Sequence, residues 1–233
     1  MKDEMTRRER SFVGWTWFVL WRLVLVLALC LLVLLVVLRF VPPPTSSFML
    51  QSPYPVRQTW VDLDKLPAHV ALAMVASEDQ RFPEHHGVDF TAISKALDQA
   101  DDGGGLRGAS TISQQTAKNL LLWPGRSVVR KGLEAGVAVS LEVVWGKKRI
   151  LEVYLNIAEF GKGIYGVEAA SRHYFGKAAR SLSRNEAARL AVLLPSPRKR
   201  DPRQLTPYLQ QRVGWVERQM QQLGAGYLNP ILN

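Results

Sequence analysis

Residues 66–87 read LPAHVALAMVASEDQRFPEHHG, an apolar run that ends on two adjacent acids. Leu66–Ser77 predicts a helix whose first turn holds Pro67, where a missing N–H costs nothing. Glu78 and Asp79 follow at the junction. A carboxylate there is partly desolvated, which raises its pKa toward the range of a general base. His85 and His86 come next, and Gly87 turns the chain. An ordinary charged helix end has the same appearance, and spacing alone leaves both readings open.

Downstream the pattern stays helical. Phe90–Ala100 is amphipathic and Asp89 can cap it. Asp101–Gly108 (DDGGGLRG) has four glycines and reads as a mobile loop. Thr111–Leu122 is a helix capped by Ser110 or Thr111, ending at Trp123-Pro-Gly125. Gln114, Gln115, Lys118 and Asn119 offer donors along it. Free N–H groups plus Lys118 suit a phosphate or pyrophosphate; a capped helix with a polar face is the alternative. Ser127–Trp145 is a longer helix with Gly146 as its stop. Arg130, Lys131 and Glu134 share one face of it. They form either a surface ion pair or a second acid beside cations that hold an anionic leaving group. Gly132, Ala135, Gly136 and Ala138 make this helix thin enough for close packing or ligand approach. Trp123, Val128, Val129 and Trp145 read either as an apolar contact surface for a bilayer or as core. Lys147–Ala158, Ile164–Tyr174, Arg184–Leu194 and Tyr208–Leu223 complete the helices, and strand patterns are scarce.

Upstream, Leu23–Leu38 is sixteen apolar residues without a break, preceded by the tryptophan-rich stretch Gly14–Trp21 and interrupted only by Arg22. Together they span a ~30 Å hydrocarbon core. Trp15, Trp17 and Trp21 suit an interfacial belt, and Arg22 can snorkel there. Lys2, Arg7, Arg8 and Arg10 precede the span and only Arg39 follows it closely, which places the N-terminus in the cytoplasm. A cleaved signal would be shorter and end in small residues; this run ends in Arg39-Phe-Val-Pro-Pro-Pro44. The expected organisation is a cytoplasmic segment 1–13, an anchor 14–40, a Pro/Ser/Thr-rich linker 41–58 and one domain over 59–233.

The 233 residues carry 30 Lys+Arg against 20 Asp+Glu, a net charge of +10. Residues beyond the anchor keep +7 of it. A basic domain tethered outside a membrane favours anionic lipid-borne substrates and disfavours nucleic acid. At 47% hydrophobic the chain is not disordered. The single cysteine, Cys30, lies in the anchor, so the domain has no disulfide. HExxH, CxxC and EF-hand patterns are absent, which argues against a metal cage built by the protein alone. GxSxG is absent, GxxxxGK[ST] is absent, and the SxxK match at Ser196 lacks its partner motifs.

Taken in order, these segments resemble glycosyltransferase family 51, which contains the monofunctional peptidoglycan glycosyltransferases and the transglycosylase domains of class A penicillin-binding proteins. Glu78, Asp79, Phe82, His85 and Gly87 match EDxxFxxHxG. Gly108–Asn119 resembles GGSTxxQQxxKN, with Ala109 in place of the usual second glycine. Arg130–Glu134 matches RKxxE. Ile150–Gly161, Gly166–Lys177 and Leu182–Pro197 are similar to the later motifs. The resemblance runs from about Trp60 to Pro202.

The resemblance implies a mainly α, lysozyme-like domain with one N-terminal transmembrane helix. It implies a glycan polymerase that moves the growing lipid-linked chain onto the 4-hydroxyl of lipid II, with inversion to a β-1,4 bond and release of undecaprenyl pyrophosphate. Glu78 and Glu134 would be the catalytic acids. Asp79, Phe82, His85, Ser110, Thr111, Gln114, Gln115, Lys118, Asn119, Arg130 and Lys131 would bind substrate. No cofactor is required, and Mg²⁺ is compatible with the donor pyrophosphate. The implied partners are lipid II, the nascent glycan, the membrane, and cell-wall synthesis or division proteins; the implied place is the bacterial inner membrane, single-pass, with the domain in the periplasm. A peptidoglycan-cleaving lysozyme-like enzyme and a non-catalytic membrane scaffold are the competing classes.

Overall fold

The computed structural model describes residues 2–101, 110–125 and 127–232. The chain divides into two units, Met1–Val41 and Pro42–Asn233. The first is a single helix, α1 (Lys2–Phe40). Its Trp15–Phe40 segment, 26 residues containing an 18-residue window of mean hydropathy 3.2, is long and apolar enough to cross a membrane. The Arg22 guanidinium lies 4.2 Å from the Phe18 ring centroid, so its charge rests on an aromatic face within the apolar run.

The second unit is mostly helical. Residues 42–58, expected as a linker, are part of it. Ser46 caps the short α2 (Ser47–Leu50), and Met49 is buried. Strand β1 (Arg57–Gln58) then joins a small sheet. The Pro and Ser residues of this stretch set turns, while its few apolar side chains and its backbone are tied to the fold.

Next come a 3₁₀ turn at Leu63–Lys65, α3 (Ala68–Glu78), α4 (Phe90–Asp101), α5 (Ile112–Leu121) and α6 (Val128–Ile157). Val70–Ala76 of α3 are all buried, as an all-round apolar helix must be. At about 1.5–3 kcal/mol for each large side chain, Val70, Leu72, Met74 and Val75 make α3 a substantial apolar contributor to the core. Thr111 caps α5 in a capping box with Gln114. Asp89 Oδ1 accepts from the Ala92 N–H at 3.0 Å and so caps α4.

The expected division at Gly146 is present: two helical stretches of α6 meet there at a kink, where Gly146 has the non-helical φ +72° and ψ 171°. Strands β2 (Glu159–Gly161) and β3 (Ile164–Tyr165) follow, in sheet order β1-β3-β2. β1 pairs parallel with β3, Arg57 against Ile164, and β2 pairs antiparallel through a bulge. Ile164 and Tyr165, expected inside a helix, thus spend their backbone groups on the sheet. The helix, α7, is confined to Val167–Phe175.

After a 3₁₀ turn at Ala179–Ser181 come α8 (Arg184–Ala191), α9 (Pro207–Leu223) and α10 (Asn229–Leu232). Helix α8 ends before the expected Leu194. Leu193 and Leu194 close tighter turns onto Leu190 and Ala191 ahead of Pro195, which cannot donate to a helix. Helices α8 and α9 pack on α3, and α5 packs on α6. Trp145 is buried in the core, whereas Val128 and Val129 stand 90% and 72% exposed and Trp123 44%. The four residues therefore do not form one surface. The glycine-rich segment read as a mobile loop, apart from Asp101, lies outside the described residues, as does Ala109.

The thin face of α6 makes its close approach at one place. A Cβ on Gly87, which has φ +93°, would stand 3.0 Å from Ala138 C and Val139 N. Gly132 and Gly136 have no described atom within 4 Å of such a Cβ, so no described neighbour packs where their side chains are missing. Gly87→Ala is expected to cost at least about 2 kcal/mol in denaturant unfolding. Gly132→Ala is expected to gain about 0.5–1 kcal/mol through helix propensity.

Candidate active site

Glu78 is the last residue of α3 and projects from its buried end. Ser77 Oγ donates to its Oε1 at 3.3 Å, and Gln115 Nε2 donates to its Oε2 at 3.0 Å. Burial pushes its carboxyl above the ordinary range; the bonds from Gln115 and Ser77 and the charges of Arg212 and Lys118 oppose that rise. Gln115 is itself oriented. Tyr154 Oη donates to Gln115 Oε1 at 3.3 Å, which turns the amide nitrogen toward Glu78. Tyr154 is fully buried, and burial raises its phenol well above the usual value, so it stays a donor.

Asp79 does different work. Its Oδ2 accepts the Ile112 N–H at 2.8 Å, at the start of α5, and His85 Nε2 donates to the same carboxylate at 2.9 Å. Thr111 Oγ1 donates to Gly87 O at 2.6 Å. Phe82 is wholly buried, edge-on to His85, with Lys147 Nζ 4.4 Å above its ring. Lys147 pairs with Glu142 at 2.7 Å, and Glu142 also accepts from Ser113 Oγ. Phe82, His85 and Gln114, expected among the substrate-binding residues, are buried in this internal network and shape the cleft from behind. Asp79 and Thr111 are also mostly buried, yet both reach the cleft wall beside Glu78.

That wall also includes Ser110, and Ser110 borders a second cavity lined by Gln115, Lys118, Arg130, Lys131 and Glu134. Glu134 is buried and accepts from Arg130 Nη1 at 2.6 Å and from Lys131 Nζ at 2.5 Å. Lys131 Nζ also donates to Ser110 Oγ at 3.0 Å. Among the described residues, buried Arg130 Nε has no hydrogen-bond partner. Burial lowers the Lys118 ammonium below its usual value; Glu134 and Glu78 oppose the shift, while Arg130 and Lys131 add to it. Three cations stand at one wall, with Arg130 buried and Lys118 partly desolvated, an arrangement with the charge and donors that a multiply charged anion requires.

A third cavity continues from Gln115 and Lys118 past Asn119, Phe48, Arg198 and Lys199. Lys118 Nζ stands 5.6 Å from the Phe48 ring. The structure thus brings Glu78, Ser110, Gln115, Lys118, Arg130, Lys131 and Glu134 into adjoining cavities, with Asn119 at the far end. Sequence reasoning missed Tyr154, Phe48, Arg212 and Trp215. Arg212 and Trp215 line the wall beside Glu78, with the guanidinium 4.2 Å from the indole ring. Their only signal was an Arg–Trp spacing of three on a C-terminal helix. Among the described residues no group of three or more His, Cys, Asp or Glu is placed to hold a metal.

A family model described as Transglycosylase matches residues 46–221. A biosynthetic peptidoglycan transglycosylase of Shewanella frigidimarina is 75% identical over 228 residues, covering 98% of this chain and 99% of the relative. Another so named, from Marinomonas sp., is 69% identical over 228 residues, covering 98% and 100%. A third, from Shewanella denitrificans, is 76% identical over 229 residues, covering 98% and 100%.

The Tyr154–Gln115–Glu78 chain has a measurable consequence. Tyr154→Phe removes the bond that orients Gln115, so Glu78 loses a donor to its charged form and its pKa rises further. The acid limb of the turnover-versus-pH profile is expected to move to higher pH, with turnover at neutral pH down by roughly three- to tenfold. A lowered rate with an unmoved acid limb would assign Tyr154 to packing alone.

Proposed function

The chain belongs to the transglycosylase family and is a peptidoglycan glycosyltransferase; from that premise we propose how its cleft forms the glycosidic bond. The acceptor is lipid II, a disaccharide-peptide on undecaprenyl pyrophosphate, and the donor is the growing glycan on the same lipid. Ionised Glu78 takes the proton of the acceptor 4-hydroxyl. That oxygen bonds to the donor anomeric carbon from the face opposite the leaving group. The bond from the anomeric carbon to the pyrophosphate oxygen breaks, and the electron pair leaves with undecaprenyl pyrophosphate. One displacement inverts the α linkage to β-1,4.

The observation that carries this reading is a half-buried carboxylate, its pKa raised by desolvation, beside a wall of three cations. Lys118, Arg130 and Lys131 would neutralise the departing pyrophosphate, and the unpartnered Nε of Arg130 is a donor such an anion would satisfy. Glu134 spends both oxygens on Arg130 and Lys131. Its proposed part is therefore to position those cations rather than to touch the reacting atoms. A Mg²⁺ at the pyrophosphate would take its ligands mainly from the phosphates and water.

The apolar N-terminal helix suits an enzyme of lipid-borne substrates. The excess of Lys2, Arg7, Arg8 and Arg10 over Arg39 supports a cytoplasmic N-terminus and a periplasmic domain on the inner membrane. The exposed Val128 and Val129, beside the cation wall, favour a lipid-facing rim there. Cell-wall synthesis and division proteins are the partners such an enzyme would meet.

Glu78→Gln tests the scheme with two readouts. Polymerisation of lipid II is expected to fall by at least about a thousandfold. Stability should move the other way. The folded pKa of Glu78 lies above its unfolded value, so the native state holds that proton longer. Its ionisation in the fold therefore costs stability as pH rises through the two values. The melting temperature of Glu78→Gln should equal that of wild type in acid, exceed it progressively as pH rises, and level off above the Glu78 titration. Retained polymerisation would remove Glu78 from the role of base.

A further inference from the structure

The structure holds a second strongly charged cleft away from Glu78. It has a volume of about 440 Å³, within the usual range for ligand sites. The small sheet builds it. Arg57 N–H donates to Gly163 O at 2.8 Å, which brings Tyr54–Arg57 alongside Lys162–Ile164. Six cations line the cleft, Arg57, Lys162, Arg198, Lys199, Arg200 and Arg203, against Asp201 as the only carboxylate among the lining residues.

Three of the cations have internal partners: Arg198 pairs with Glu159 at 2.9 Å, Arg203 with Asp201 at 2.7 Å, and Arg200 Nη1 donates to Val192 O at 2.5 Å. No ion pair links Arg57, Lys162 or Lys199 to any described acid. Two tyrosine rings hold the cations in place. Arg198 and Lys162 lie 5.5 and 5.9 Å from the Tyr54 ring, and Arg203 lies 5.4 Å from Tyr174. The positive field is felt inside, where desolvation and then Arg203 and Arg57 lower the pKa of His173. Guanidinium forks braced on aromatic faces recognise carboxylates and phosphates bidentately.

Position narrows the ligand. Pro197, Arg198 and Lys199 line both this cleft and the cavity that runs on from Gln115 and Lys118. A polymer leaving the active site along that path would pass over it. The sugars of a peptidoglycan strand are uncharged once the peptide is attached, so its carboxylates sit on the stem peptides. The geometry points to a product groove in which Arg57, Lys162, Lys199 and Arg203 hold the peptide carboxylates of the nascent glycan. This rests on the polymerase reading, and it adds a site that tracks the strand without taking part in bond formation.

The test uses the full chain in neutral detergent, titrated with disaccharide-peptide oligomers, with the same oligomers stripped of peptide, and with glycerol phosphate as a lipid-headgroup probe. Wild type should bind the peptide-bearing oligomer about tenfold more tightly than the stripped one. The Arg57→Gln/Lys162→Gln/Arg203→Gln variant should lose that difference and release shorter glycans, with the rate of first-bond formation unchanged. All three side chains are exposed, so the fold should tolerate the change; Lys162→Gln alone should lose part of the preference and serves as the mildest variant. Equal binding of the two oligomers, or a preference kept in the triple variant, overturns the groove. Glycerol phosphate competing as well as the peptide-bearing oligomer overturns it in favour of a headgroup site. Absence of any glycan from lipid II with peptide preference intact overturns the polymerase reading and leaves the groove standing.

Discussion

The site depends on one hydrogen bond between two chain segments, the Ile112 N–H to Asp79 Oδ2 at 2.8 Å. Helix α3 ends at Glu78, and α5 begins one residue after Thr111. The bond fixes the start of α5 against the end of α3. Everything on α5 is then placed by helical geometry. Gln115 falls three residues past Ile112 and reaches Glu78, and Lys118 falls three further on, at the cation wall. His85 and the Thr111–Gly87 bond lock the same junction from the other side. Asp79 thus holds this junction together beside the acid proposed to do the chemistry. Removing it would leave a buried His85 nitrogen and a helix N–H without their partner, a cost of about 1–3 kcal/mol each.

The second cost of the site is electrostatic. Arg130, Glu134 and Lys131 form a triad whose acid is buried and whose Arg130 is nearly so. Buried ion pairs are weak contributors to stability, because desolvation offsets most of the attraction. A core residue of similar volume would stabilise the fold at least as well. Two cations share one acid, and Arg130 Nε is unpartnered among the described residues. The excess positive charge is what an anionic leaving group requires, and a triad selected for stability alone would balance it.

Much of this was legible beforehand, for identifiable reasons. The anchor and α3 are read from composition over many consecutive residues, the least ambiguous kind of signal. The Thr111–Gln114 capping box and the Arg130–Lys131–Glu134 face follow from fixed helical offsets. The sheet was not legible, because strands of two and three residues carry no period to detect. Tyr154 lies 39 positions from Gln115, and Arg212 acts on Glu78 across the fold. Contacts at such separations leave no local pattern. Gly132, Ala135, Gly136 and Ala138 suggested close packing or close approach by a ligand; among the described residues the close packing is seen at Ala138, against Gly87, and not at Gly132 or Gly136. Phe82 and His85 are part of the same motif as Glu78, and only their burial separates scaffold from wall.

Glu78 and Lys118 complete the argument because each is perturbed by burial and each restrains the other. Burial raises the acid and lowers the base, while their mutual attraction pulls both back toward the charged forms. For each group that mutual attraction is a smaller influence than burial. In the proposed reaction, a pyrophosphate entering beside Lys118 adds negative charge near both. It favours the protonated ammonium, which restores the cation the leaving group needs. It also raises the proton affinity of Glu78, which makes the carboxylate a stronger base when the acceptor hydroxyl must be deprotonated. Departure of undecaprenyl pyrophosphate reverses both effects and eases loss of the captured proton. On the proposed scheme, the substrate's own charge thus tunes the two groups in the order that scheme uses them.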